Sequence, residues 1–141
     1  MTGPGAPPAA DCVFCAIAAH TSPAYIVYED EATMAFLDIF PFTRGHLLVV
    51  PKAHGERLTD LPRDAQSALV HTLDTMCRRS ERLTSAYNVA LNAGAAAGQI
   101  IFHVHFHVIP RYGEANPFHP SSRARLSESE ARALIAELSR A

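Results

Sequence analysis

In His103-Val104-His105-Phe106-His107-Val108-Ile109 an imidazole recurs at every second position. Imidazole is basic and largely neutral near pH 7, so such a run can supply a nucleophile, a proton carrier or metal ligands. In extended backbone, residues two apart share a face. This predicts His103, His105 and His107 along one side of a strand, with Val104, Phe106 and Val108 packed under the other. A lone strand histidine is usually only a polar residue on an open face. Three in strict alternation rarely arise on an undirected surface. Before them lies Asn92-Ala93-Gly94-Ala95-Ala96-Ala97-Gly98-Gln99, whose glycines permit close backbone approach to a ligand and can present N–H groups to a phosphate. Phe36-Leu37-Asp38-Ile39 puts an acid at the end of an apolar strand. There it can accept hydrogen bonds from a ribose diol or simply shape a strand-end turn. Cys12 and Cys15 form C-x-x-C, which suits a redox pair or half of a zinc site, while Cys77 in a helical stretch reads as a small buried hydrophobe.

The periodicity of the remaining chain supplies the elements that must hold these groups. Residues 14–19 give a turn or two of helix before Thr21-Ser22-Pro23 breaks it. Ile26-Val27-Tyr28 and residues 33–37 read as hairpin partners around the charged turn Glu29-Asp30-Glu31. His46-Leu47-Leu48-Val49-Val50 is an apolar strand ended by Pro51. Apolar residues at Ala65, Leu69, Leu73, Met76, Cys77 and Leu83 predict an amphipathic helix from Pro62 to about Thr84, with Asp60 or Thr59 as N-cap and Pro62 in the first turn. Val89-Ala90-Leu91 is a strand, and residues 100–109 form the longest one, closed by Pro110. Ser127-Glu128-Ser129-Glu130 is a capping-box pattern opening a last helix that reaches about Arg140. Strands grouped together beside isolated helices predict an α+β fold, a mainly antiparallel sheet with one long helix and a C-terminal helix.

With 141 residues, 48% hydrophobic, the chain suits one domain over 11–141 after a Pro/Gly-rich tail, 1–10, expected to be disordered. The tail has neither the basic start nor the apolar stretch of a secretion signal. A formal net charge of −2 argues against nucleic acid and anionic membrane as partners. No run approaches the roughly 18 apolar residues of a membrane span. A cytoplasmic location follows by default. His20 and His71 read as surface residues, Lys52 and Arg111 as solvated charges, and His119, in a C-terminal loop, as a residue able to touch substrate.

Taken together, Phe36-Leu37-Asp38-Ile39, Arg44-Gly45-His46-Leu47-Leu48-Val49-Val50-Pro51-Lys52, and Ala97-Gly98-Gln99 through His103-x-His105-x-His107-x-x-Pro110-Arg111-Tyr112 resemble the histidine triad (HIT) family of nucleotide hydrolases and transferases. The resemblance runs from Cys12 to Gly113 and is strongest to small bacterial members similar to the purine nucleoside phosphoramidase branch. It implies that His105 attacks the α-phosphorus of a purine nucleotide conjugate, becomes transiently nucleotidylated, and is freed by water with release of nucleoside monophosphate. His107 and His46 would complete the catalytic set. Phe36, Asp38 and Ile39 would form the ribose and base pocket, and Asn92, Gly98 and Gln99 would lie on the phosphate and leaving-group side with His105 and His107. The resemblance also implies a homodimer in which the long helix and one strand pair across a two-fold axis; the stripe Ala65, Leu69, Leu73, Met76 fits that interface or the chain's own core. Two thiolates and two imidazoles suit tetrahedral Zn²⁺, which makes Cys12, Cys15, His54 and His103 the expected ligands of a structural zinc. Many members of the branch carry a hydroxyl residue directly after Gly-Gln, where it can assist the leaving group; this chain has Ile100, which can neither donate nor accept. Two rival readings use the same residues: a zinc hydrolase with His103 and His105 on a catalytic metal, or a nucleotide-binding regulatory module without important turnover.

Overall fold

Two central strands, buried on both faces, organise the chain. The computed structural model describes residues 11–114 and 123–141; the predicted tail and His119 lie outside them. Helix α1 (Val13–Ala18) leads into β1 (Ile26–Glu29), β2 (Thr33–Leu37) and β3 (Leu47–Pro51). The long helix α2 (Arg63–Ser80) follows, then β4 (Tyr87–Leu91), β5 (Phe106–Pro110) and α3 (Glu128–Leu138). The strands form one antiparallel sheet in the order β1-β2-β3-β5-β4. The α+β class with its long and C-terminal helices is as the hydrophobic patterns require. Among the described residues no helix is long and apolar enough to cross a membrane.

Strand alternation sorts the apolar side chains into two clusters. Ala35, Leu37, Leu47, Val49 and Val108 face α2 and α3, where Leu69, Met76, Leu134 and Leu138 meet them. Met34, Phe36, Leu48 and Val50 face the other way, against Phe14 and Ile17 of α1. Each Val, Leu, Ile, Met or Phe side chain among them contributes about 1.5–3 kcal/mol by leaving water. The stripe on α2 is therefore the chain's own core: Leu69 and Met76 are fully buried, with Ala65 and Leu73 packed beside them. The short helix α1 covers only part of its face, and the uncovered remainder becomes a cavity.

Several boundaries differ from the sequence reading, among them the start of β4 at Tyr87 rather than Val89. Strand β5 begins at Phe106 rather than near residue 100. Backbone bonds upstream leave the ladder: Val104 donates its N–H to Gly55 at 2.7 Å, and the Gln99 side chain donates to Ile101. Helix α2 is capped by Pro62, not by Asp60 or Thr59. Leu61, preceding a proline, is held extended at φ −93°, ψ 144°, which stops a helix from starting earlier. Asp60 instead accepts from Arg57 N–H across a short 3-10 turn. At the other end α2 stops at Ser80, and α3 stops at Leu138, where Arg79 and Arg82 donate to carbonyls of residues 137–141. The Ser127 cap holds, accepting from Glu130 N–H, but the Glu130 carboxylate pairs with Arg44 rather than returning to the cap.

Candidate functional site

One row of side chains crosses the α1 face of the sheet. Leu48 and Ala90 flank His107 in register, and Phe36 lies beyond Leu48. His105 precedes β5 by one residue and opens onto the same side, in a cavity of about 1070 Å³. Phe36, Asp38, Ile39, Asn92, Gly98, His105 and His107 line it, and α1 closes one wall through Val13, Phe14 and Ile17. Seven residues expected at a nucleotide site thus share one concavity.

Backbone partners fix the proton on each ring. His105 Nδ1 lies 2.7 Å from the His103 carbonyl, which can only accept, so Nδ1 carries the proton and Nε2 keeps its lone pair. His46 Nδ1 accepts the Phe42 N–H at 3.0 Å, so its Nε2 is the donor, 2.9 Å from His107 Nδ1. His107 must then carry its own proton on Nε2. The site therefore pairs an unprotonated nitrogen on His105 with an N–H on His107, their rings 4.9 Å apart. Gly45 makes the placement of His46 possible. Its φ is +91°, and a Cβ there would stand 2.4 Å from Leu83 Cδ1.

Burial keeps these rings neutral at pH 7. Desolvation, helped by neighbouring histidines and Arg123, brings His107 down to about 4 and His46 to about 2. His105 is lowered by the same burial, opposed by its bond to the His103 carbonyl. Asp38 Oδ2 is 3.6 Å from His46 Nε2, within ion-pair range. The two form no ion pair, because burial holds His46 neutral; the same burial pushes the Asp38 carboxyl up. The Asp38 carboxylate is instead held by Phe40 N–H at 2.8 Å and Arg123 at 3.3 Å.

The C-x-x-C and His54 meet His103 on the far side of the triad. Cys12 Sγ lies 3.4 Å and Cys15 Sγ 3.5 Å from His103 Nδ1, and Cys15 Sγ lies 3.3 Å from His54 Nδ1. All four ligand atoms lie within 4.8 Å of one another. Tetrahedral Zn²⁺ holds a sulfur and a nitrogen about 3.5 Å apart, so the donor set fits the ion. His103 Nε2 donates to the Pro51 carbonyl at 2.7 Å, leaving Nδ1 free of a proton toward the thiols. That outer bond is the arrangement a metal-binding imidazole needs. Asp38, His46 and His107 also converge. Their two histidine nitrogens, however, are at hydrogen-bond distance, 2.9 Å, shorter than the about 3.4 Å separating two nitrogens on one tetrahedral zinc. His103 and His105 do not face a common ion: the first points at the thiols, the second at the cavity.

Other expected residues take supporting places. The Gln99 side chain accepts from Gly94 N–H and donates to the Glu56 and Ile101 carbonyls, so it braces the glycine loop and does not line the cavity. Gly98, at φ +95°, packs against the Asn92 amide. Ile100 is 79% exposed at the cavity rim. His71 is exposed, and His20 and Lys52 both pair with Glu29. Arg111 is engaged by Glu114 and Asn88, so it is a brace rather than a solvated charge. Sequence reasoning missed the α1 wall, whose Phe14 and Ile17 stand one helical turn apart, and it missed Phe42 and Arg123. No local pattern marks Arg123.

Known proteins are similar to this chain over most of its length. The family model for the HIT domain matches residues 19–114. An adenosine 5'-monophosphoramidase of Candida albicans is 38% identical over 112 residues, 75% of this chain and 74% of that one. The adenylylsulfatase HINT3 of Arabidopsis thaliana is 39% identical over 103 residues, 72% of this chain and 52% of that one. A zinc-bound histidine triad family protein from Mycobacterium smegmatis superimposes with a TM-score of 0.76 at 40% identity, covering 91% of this chain and 93% of that one.

Proposed function

The chain belongs to the histidine triad family, and on that premise we propose that it cleaves purine nucleotide conjugates at the α-phosphorus through a nucleotidyl-histidine intermediate. The observation that carries the reading is the pair of opposite tautomers: a lone pair on His105 Nε2 beside an N–H on His107 Nε2. His105 Nε2 forms the bond to phosphorus while the bond to the leaving group breaks; the leaving group takes the electron pair and is protonated by water in the open cavity. His107 donates to the phosphate as charge builds on its oxygens. Water then forms the new P–O bond and gives up a proton to solvent, the N–P bond breaks with its electron pair returning to His105 Nε2, and nucleoside monophosphate departs. Splitting one displacement into two lowers each barrier. Asp38 would accept from the ribose hydroxyls, Phe36 and Ile39 would contact base and sugar, and Asn92, Gly98 and the Gln99-braced loop would stand by the phosphate.

Cys12, Cys15, His54 and His103 would hold a structural Zn²⁺; when bound it supplies a four-ligand crosslink between α1, the loop after β3 and the triad. The relative that binds zinc supports this, as does the donor geometry. A homodimer is supported by β4, which among the described residues is an edge strand with Val89 43% exposed, so that its outer backbone can continue the sheet into a second copy. Thiols gathered for a metal rather than for disulfides suit a reducing, cytoplasmic setting. The function is tested by a panel of adenylates, phosphoramidates, phosphosulfates and dinucleoside polyphosphates scored by release of nucleoside monophosphate. At least one should turn over, and His105→Ala should lose several orders of magnitude. A His105→Ala variant that keeps more than about a tenth of the rate contradicts the nucleophile assignment.

A further inference from the structure

We propose that Arg123, reaching the cavity from the segment before α3, is a positioning residue for Asp38 and so sets the preference of the site for a ribose over a deoxyribose. This rests on the nucleotide reading above and assigns a residue to it.

The Arg123 guanidinium grips the turn after β2 from three directions. Its Nη2 is 3.3 Å from Asp38 Oδ2. Its Nε donates to the Phe40 carbonyl, and Phe40 N–H in turn donates to Asp38 Oδ1 at 2.8 Å. Its plane lies over the Phe42 ring, 4.0 Å from the centroid, and Phe42 itself stacks on His46. Leu126 N–H donates to the Ile39 carbonyl at 2.8 Å and pins the same segment alongside. A planar, five-donor cation can make these contacts together; a lysine ammonium cannot.

The consequence for Asp38 is chemical as well as geometric. An ionised carboxylate is acceptor-only and offers an oxygen to each of the two ribose hydroxyls, whereas the protonated form turns one oxygen into a donor. Its side chain is only 15% exposed, and burial favours the protonated form. The groups facing it are His46, His105 and Arg123, with the Phe40 amide. The rings are lowered by burial, so Arg123 is the fixed cation among them. Arg123 therefore opposes the protonation that burial favours and aims the Asp38 side chain by its contacts with Asp38 and the Phe40 carbonyl.

Isothermal titration with AMP and with 2',3'-dideoxy-AMP, on wild type, Arg123→Ala and Arg123→Lys, separates the possibilities without requiring turnover. Hydrogen bonds to a charged group are worth about tenfold or more in affinity. Wild type should prefer AMP by about tenfold or more. Arg123→Ala should lose most of that preference, weakening AMP while leaving the dideoxy ligand nearly unchanged. Arg123→Lys, which keeps the charge without the fork or the stack, should fall between. Equal weakening of both ligands would mean a merely structural role and overturns the inference, as does an unchanged preference. Wild type that binds neither ligand overturns the nucleotide reading itself, and this inference with it.

Discussion

Acid should destabilise this protein over a window set by its buried histidines, and His107 gives the window a size. In the unfolded chain a histidine takes up its proton near pH 6.5; in the fold His107 does so only at about 4. Between those values the unfolded state binds a proton that the folded state refuses, so stability is complete above pH 6.5 and falls as pH drops to 4. At about 1.4 kcal/mol per unit, the loss from His107 is roughly 3 kcal/mol. His46, displaced in the same direction and further, adds to the fall and continues it below pH 4. Urea denaturation followed by circular dichroism at several pH values from 7 to 4 measures the curve. His107→Gln removes one of the titrating rings. Its own lost hydrogen bond shifts the whole curve, so the slopes carry the comparison. The variant should be flatter than wild type by about 3 kcal/mol across the window. Parallel curves would refute the claim that His107 is buried neutral, and with it the tautomer assignment built on His46.

Further outcomes follow from the same geometry. With an apolar side chain at the rim, Ile100 gives no help to a leaving group. Adenosine phosphoramidates of alkyl amines should therefore react slowly beside adenylates with acidic leaving groups, and Ile100→Ser should raise the phosphoramidate rate about tenfold, the worth of one such hydrogen bond; equal wild-type rates on both, unchanged by the substitution, count against it. Stripping zinc with a chelator should lower Tm by about 10 °C or more, as loss of a few kcal/mol does in a domain this size, with a smaller effect on rate measured well below Tm. Protein purified without chelator that holds no zinc by elemental analysis would refute the metal site. Light scattering at micromolar concentration should give twice the chain mass, and a monomer mass contradicts the dimer.

The fold and the site were unequally legible in the chain. The short continuous apolar runs at 33–37 and 47–50, bounded by a charged turn, Gly45 and Pro51, mark two doubly buried strands by their length and breakers rather than by a period. The spacing of His103, His105 and His107 predicts three rings on one side of a strand, whereas only His105 and His107 line the cavity. Val104 bonds to Gly55 rather than to the ladder, and His103 turns toward the thiols while His105 and His107 face the cavity. Long-range hydrogen bonds leave no periodic trace, which is why that bend was invisible. The cap of α2 was misplaced because Asp60 is a good cap in isolation, whereas Pro62 dictates the backbone before it. Gln99 shows the same limit: its residue type suits a phosphate, yet its donors and acceptor are consumed by the loop it braces. Arg123 is legible only in three dimensions, since 85 residues separate it from Asp38.

The central claim is that His105 Nε2 forms a bond to phosphorus. Rapid quenching of a single turnover with a reactive adenylate, followed by proteolysis and mass spectrometry, looks for that bond directly. The account predicts an adenylyl group on the peptide carrying His105, localised to that residue, appearing before AMP and absent from His105→Ala. AMP formed at full rate with no adduct, or an adduct on His46 or His107 instead, would contradict it.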